Sequence, residues 1–275
     1  MTGNESIYSF APNGSRNTFA SGLSSPEGLA FDGSGDLFVA DSGNGDIYKY
    51  TPAGRKSLFA SGLSDPWGLA VDRSGNVYVS ENIVNNACIY AITPGGTVST
   101  FATGLSKALG LAFDSNGNLY CANFNSGDIF EFATNGNKTT FESGLPDPQG
   151  LAFDSSGNLY ASIPATGGYI YKFAPDGTES TFAPGLIGPN GVAIDSRNNL
   201  FVTVGSGGGS IEEITPLGSL SIYAPGLGLP GYSISQLAFA PSLSTATPEP
   251  ANVALLASLA FSGLSALARR RRCRS

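Results

Sequence analysis

Short apolar runs, each cut off by Gly, Asn, Asp, Ser or Pro, recur along the chain at a steady interval. Residues 28–60 show the scheme. Gly28 to Phe31 is apolar, and Asp32-Gly33-Ser34-Gly35 is a turn. Asp accepts hydrogen bonds from backbone two residues on, and Gly tolerates positive φ. Leu37-Phe38-Val39-Ala40 is a second run, followed by a polar loop over Asp41–Asp46. Ile47-Tyr48-Lys49-Tyr50 is a third, aromatic and β-branched, as strands prefer. After the turn Thr51-Pro52-Ala53-Gly54 comes a fourth, Ser57-Leu58-Phe59-Ala60. The first run of each unit starts at Gly28, Gly68, Gly110, Gly150 and Gly191, with a degenerate copy at Ser235-Gln236-Leu237-Ala238. Copies are therefore 40 to 44 residues apart.

A unit of this length cannot bury its apolar face alone, so copies must stack. Four short antiparallel strands per unit is the pattern of a propeller blade. The alternative, an open solenoid, needs polar capping units, whereas the first and last copies here are incomplete. The predicted fold is an all-β, six-bladed β-propeller of four-stranded blades with an incomplete closing blade. Ile7–Phe10 and Thr18–Ala20 supply a third and a fourth strand, and Leu237-Ala238-Phe239 an inner one. Only five second strands are found, starting at Leu37, Val77, Leu119, Leu159 and Leu200. The sixth is expected upstream of Met1.

Composition narrows the chemistry. Thirty-seven Gly and 17 Pro suit many tight turns, and only 13% of residues are charged. Net charge is −7, but residues 1–247 hold 9 Lys+Arg against 20 Asp+Glu. A domain this acidic repels phosphate backbones, which argues against nucleic acid as a partner. Histidine is absent, which removes the commonest general base and most zinc sites. Cys121 replaces the Val of other second strands and reads as a small core residue. Asp72, Asp114 and Asp154 open Asp-x-x-Gly-Asn segments that resemble calcium loops, but they recur in nearly every unit and lack a spaced bidentate Glu, so they read as hairpin turns.

The end of the chain differs. Pro248-Glu249-Pro250 precedes 18 uncharged residues, 251–268, then Arg269-Arg270-Arg271-Arg272. Eighteen helical residues span about 27 Å, near the thickness of a bilayer core. The expected organisation is a propeller over 1–242, a linker over 243–250, a transmembrane helix over 251–268 and an Arg-rich cytoplasmic tail over 269–275. The arginines place the ring on the extracytoplasmic side. The three-part ending resembles the PEP-CTERM sorting signal of bacterial envelope proteins. That resemblance implies an exosortase-type membrane enzyme as a partner, a cell-envelope location and release of the ring after cleavage. Residues 1–20 carry no export signal, so one is expected upstream.

Ligand positions are sought where the scaffold repeats but the residue varies. One set is the middle residue of Pro-x-Gly or its equivalent, before each inner strand: Glu27, Trp67, Leu109, Gln149 and Asn190. The other closes each second strand: Asp41, Glu81, Asn123, Ile163 and Val204. Both sets are expected at the mouth of the central channel. Glu27, Trp67, Gln149 and Asn190 are the candidate ligand-binding residues. Trp67 could stack on a sugar ring. Glu27, Asp41, Glu81 and Asn123 offer the hard oxygens that Ca²⁺ or Mg²⁺ would take.

The repeat resembles NHL-repeat propellers and, more loosely, gluconolactonase-like propellers. In the latter, a channel-mouth metal is held by Glu, Asn and Asp. Glu27 in Ser-Pro-Glu-Gly and Asn190 in Gly-Pro-Asn-Gly match part of that set, and the expected Asp is missing. The sequence thus favours a non-catalytic binding or scaffold module, in contact with extracellular polysaccharide or surface proteins. A divalent-metal-dependent lactonase, hydrolase or lyase is the alternative.

Overall fold

The computed structural model describes residues 5–165, 167–205, 209–226, 232–240 and 255–261. The chain starts with β1 (Glu5–Phe10) and β2 (Arg16–Leu23). Five blades then follow, each from contiguous chain. Blade 1 is β3 (Pro26–Phe31), β4 (Leu37–Asp41), β5 (Asp46–Tyr50) and β6 (Lys56–Ala60). Blade 2 is β7 (Pro66–Val71), β8 (Val77–Glu81), β9 (Ala87–Ile92) and β10 (Val98–Leu105). Blade 3 is β11 (Ala108–Phe113), β12 (Leu119–Asn123), β13 (Asp128–Phe132) and β14 (Lys138–Glu142). Blade 4 is β15 (Leu151–Phe153), β16 (Leu159–Ile163), β17 (Tyr169–Phe173) and β18 (Glu179–Pro184). Blade 5 is β19 (Val192–Ile194), β20 (Leu200–Val204), β21 (Ser210–Ile214) and β22 (Leu220–Ala224). The last strands are β23 (Tyr232–Phe239) and β24 (Leu255–Phe261). Among the described residues the only helical element is a three-residue turn, Phe124–Ser126.

The blades built from contiguous chain number five, not six. A further four-stranded sheet joins the two ends of the chain in the order β2-β1-β24-β23. Inner strands pack side by side round the axis, β3 on β7, β7 on β11, β11 on β15, β15 on β19, β19 on β23 and β23 on β3, so the array closes. Cores lie between neighbouring sheets. One joins Phe38, Ala40 and Ile47 to Leu69, Val77 and Val79; another joins Phe10 and Leu237 to Phe201, Ile211 and Ala224. Second strands from Leu37–Asp41 to Leu200–Val204 are buried along their length apart from the half-buried Tyr78. That explains their apolar character on both faces. Cys121 is a free thiol in such a core, and burial pushes its pKa up to about 12.

The largest departure from expectation lies at β24. The expected span 251–268 contains a strand over Leu255–Phe261, and among the described residues no helix is long and apolar enough to cross a membrane. In register, Leu255, Leu256 and Ala257 lie opposite Phe10, Ser9 and Tyr8 on one side and Phe239, Ala238 and Leu237 on the other. Leu37, Phe38 and Val39 occupy the same places in blade 1. The second-strand place expected from upstream of Met1 is thus filled by β24. A short apolar run does not declare helix or strand by periodicity. Without β24, facing edges of β1 and β23 would leave rows of backbone groups unpaired. Pro248-Glu249-Pro250 and Arg269-Arg272 lie outside the described residues, as do the linker 243–250 and the tail 269–275.

Candidate functional site

Register brings both sets of predicted positions to one end of the ring. Pro26 lies opposite Asp41, Pro66 opposite Glu81 and Ala108 opposite Asn123. The Pro-x-Gly residues follow one another round the axis. A Cβ built on Gly28 would fall on the Trp67 carbonyl oxygen, and one on Gly68 would fall on that of Leu109. The same holds for Gly110 on Gln149 and Gly150 on Asn190. The Gly110 N–H also donates to the Gln149 carbonyl at 2.9 Å. Each glycine is therefore set by a neighbouring blade's backbone, and Glu27, Trp67, Leu109, Gln149 and Asn190 stand in one arc. Glu27 is buried, with the Ser25 hydroxyl donating to its Oε1 at 3.4 Å. Trp67, Gln149 and Asn190 are half-buried, and the Asn190 Oδ1 is enclosed without a hydrogen-bond partner among the described residues.

The acidic second-strand ends carry a different duty. Asp41 Oδ1 accepts from the Ser24 and Ser25 amides at 2.9 and 2.6 Å, and Oδ2 accepts from Asn44 Nδ2 at 3.0 Å. Glu81 accepts from the Ser64 amide through Oε1 at 3.3 Å and from the Cys88 amide through Oε2 at 3.0 Å. Asn123 Oδ1 accepts from the Ser106 amide at 2.8 Å. Each pins the loop that enters its own blade. Burial pushes the Glu81 pKa up to about 7, against the opposing pull of the two amides. Oxygens already engaged by loop amides fit a divalent ion poorly, and the described residues contain no cluster of three acidic or thiol ligands. Of the four candidate metal ligands, only Glu27 lies on the arc of Pro-x-Gly positions.

Sequence reasoning missed a set of hydroxyls. The Gly68 N–H donates to Ser80 Oγ at 2.9 Å, and that hydroxyl donates to the Leu109 carbonyl of the next blade at 2.6 Å. Ser162 repeats the bridge from the Gly150 N–H to the Asn190 carbonyl. Thr203 accepts from the Gly191 N–H at 2.8 Å. The aligned positions read Ala40, Ser80, Ala122, Ser162 and Thr203, so hydroxyls inside otherwise apolar strands were the available signal. Ser80→Ala leaves a buried donor and acceptor unmatched. It is expected to lower unfolding free energy by about 1–3 kcal/mol in chemical denaturation.

The opposite end holds the Asp-x-x-Gly-Asn segments, and they are hairpin turns. Asp72 Oδ1 accepts from the Ser74 and Asn76 amides, and Oδ2 from Asn76 Nδ2 at 2.7 Å. Asp114, Asp154 and Asp195 repeat this. In blade 1 the Asn is Asp36, which cannot donate, and Lys49 Nζ reaches Asp36 at 2.6 Å and Asp32 at 4.0 Å.

These features define an all-β propeller with a polar arc at one end of its inner strands. An NHL repeat model matches residues 63–89, which run from the end of blade 1 into β9. No curated protein matches the chain in sequence. Among solved structures, a gluconolactonase from Xanthomonas campestris superposes with a TM-score of 0.70 at 16% identity, covering 94% of this chain and 91% of that one. A streptogramin B lyase gives 0.64 at 14% identity over 94% and 98%. A PQQ-bound aldose sugar dehydrogenase from Streptomyces coelicolor gives 0.67 at 17% over 93% and 98%. At such identities the likeness is one of fold, and similar folds carry unlike activities.

Proposed function

We propose that this chain is a binding module whose ligand, a neutral carbohydrate, seats on the arc of Glu27, Trp67, Gln149 and Asn190. The observation that carries this reading is the succession round one arc of a carboxyl and an indole on blades 1 and 2 and two amides on blades 4 and 5, with Leu109 of blade 3 between them. Asn190 is half-buried, and an amide side chain can donate to a ligand hydroxyl. Aromatic faces and amides are the groups that recognise sugar rings and their hydroxyls. Asp41, Glu81 and Asn123 are spent on loop amides, which supports binding over metal chemistry. Trp67 is the only tryptophan in the sequence, so tryptophan emission excited beyond the tyrosine absorption band reports this position alone. Titration with cello-, xylo- and galacto-oligosaccharides is expected to change Trp67 emission saturably. Asn190→Ala should weaken that binding by about tenfold, the equivalent of 1.4 kcal/mol. Unchanged emission with every sugar at about 10 mM, weaker than any specific site, overturns the reading.

Glu27 and Asn190 sharing the arc also supports the second reading, a divalent-metal-dependent lactonase. Its test is calorimetric titration with Ca²⁺ and Mg²⁺ and assay of aldonolactone hydrolysis. Heat and turnover that both vanish in Glu27→Gln would establish it. The order of Pro248-Glu249-Pro250, the apolar run and Arg269-Arg272 supports envelope sorting by an exosortase-type enzyme that acts on the chain before Leu255–Phe261 takes its place between β1 and β23. Fractionation of cells and the mass of the mature protein test that.

A further inference from the structure

The chain that follows β24 leaves the ring at its polar end. Leu255 stands in the second-strand place that Leu37 holds in blade 1, so β24 runs as β4 does, and Phe261 emerges at the end where β4 reaches Asp41. Two observations at that end bear on where the chain goes next. The first is a bond. Cys88, near the start of β9, is disulfide-bonded, and its partner lies outside the described residues, since Cys121 is a free thiol. The sequence holds three cysteines, and the third is Cys273, directly after Arg269-Arg270-Arg271-Arg272. The second is charge. Cys88 shares a core with Ile47, Ala60 and Leu63 of blade 1, and its amide donates to Glu81 Oε2 at 3.0 Å. The loops beside these residues, 41–46, 61–66 and 81–86, carry Asp41, Asp46, Asp65 and Glu81 and hold no Lys or Arg.

We propose that the C-terminal tail is a strap. It crosses the polar end of blade 1, brings its arginines to these carboxylates and ends in a disulfide from Cys273 to Cys88 that holds β24 in the ring. Length allows this path. Inner strands pack in the order β23, β3, β7, so one blade separates the last strands from blade 2. Two steps between sheets packed about 10 Å apart need roughly 20–30 Å. The eleven residues 262–272 reach about 40 Å when extended. Charge favours the same path, because the arginines precede Cys273 by one to four residues and so come to the acidic loops around Cys88. β24 has the most to gain. Fifteen residues, 240–254, separate it from β23, and β1 belongs to the other end of the chain, so no tight turn ties it to either neighbour. A disulfide across a long loop acts by shrinking the set of open states. Such bonds persist in oxidising compartments, which agrees with a ring on the extracytoplasmic side. The inference stands apart from the ligand reading of the arc.

Peptide mapping of the full chain without reductant is expected to recover Cys88 joined to Cys273, with Cys121 alkylated only after unfolding. Dithiothreitol opens the bond by exchange. It gives up two electrons and two protons, leaves two thiols and closes on itself as a cyclic disulfide. Cys273→Ser removes the bond and keeps every residue of blades 1–5, so the propeller still folds. Amide exchange across β24 and its partners on β1 should then quicken by at least about tenfold, the low side of what a disulfide closing a long loop supplies. β12 and β13 should keep the parent rate. The reduced parent should match the variant. Cys88 recovered as a free thiol, or joined to Cys121 or to a second chain, overturns the proposal. So does exchange at β24 that neither Cys273→Ser nor dithiothreitol changes, or that rises equally in β12 and β13.

Discussion

Gly68→Ala is expected to lower unfolding free energy by about 3 kcal/mol, at the upper end of overpacking costs, because the added methyl meets backbone. Its Cβ would fall on the Leu109 carbonyl oxygen and come within 2.8 Å of Ser80 Oγ. Ser80 cannot swing away without giving up the Gly68 amide and the Leu109 carbonyl it bridges. Leu109 cannot withdraw without parting β7 from β11, which pack together along the axis. Gly68 does not have a positive φ, so the cost is one of space rather than backbone conformation. Gly33→Ala is the matched control. Nothing lies within 4 Å of its Cβ, and its φ is likewise unexceptional. There the loss of unfolded-state freedom should leave stability level or raised by up to about 1 kcal/mol. Urea denaturation of both variants beside the parent checks the pair. A Gly68→Ala variant as stable as Gly33→Ala would show that blades slide apart readily.

The second large effect is a pH dependence that one carboxyl carries. Glu81 is 1% exposed, and burial lifts its pKa from 4.5 to about 7. The folded state therefore holds a proton that the unfolded state releases. Stability from this group is fully present below pH 4.5 and is lost as pH rises through about 7. Across that window the loss is about 3 kcal/mol, at 1.36 kcal/mol per pH unit. Glu81→Gln removes the titration. Gln accepts from the Ser64 amide but presents a second donor to the Cys88 amide, which costs about 1 kcal/mol at every pH. The readout is therefore the slope. The difference in unfolding free energy between parent and variant should change by about 3 kcal/mol between pH 4.5 and pH 8, with the variant gaining on the parent as pH rises. Glu212 and Glu213 are also lifted by burial and contribute equally to both proteins, so they cancel.

Much of the fold is legible in the residues because the blade is written five times. The turn Asp72-Arg73-Ser74-Gly75-Asn76 declares itself through a side chain that accepts two amides and Asn76 Nδ2. Leu37-Phe38-Val39-Ala40 declares burial on both faces by having no polar member. What stayed hidden depends on neighbours distant in sequence. Leu255–Phe261 reads as lipid-facing when its own composition is weighed, and as a strand once β1 and β23 are seen with a place between them. At the polar end, the variable positions mark the location but not the division of labour. Trp67 and Asn190 stand on the arc, whereas Asp41, Glu81 and Asn123 turn to amides some 17 residues earlier in their loops. Only a view of the loop closing back on its blade separates a solvent-facing carboxylate from one already engaged. The Ser80 bridge was hidden for the same reason, since its partner Leu109 belongs to the next repeat.

Because β1 hydrogen-bonds with β24, Ile7 waits for Ser258 before its sheet is whole. On a ribosome the five contiguous blades can condense in order, while the seam stays open until β24 has emerged. Closing a loop that long carries a large entropic toll and slows the last step relative to the local hairpins. Chains released early, or clipped between β23 and β24, should linger as unlatched rings with two sticky borders. Cells expressing this protein would then handle its nascent form as a client of chaperones until β24 is in place.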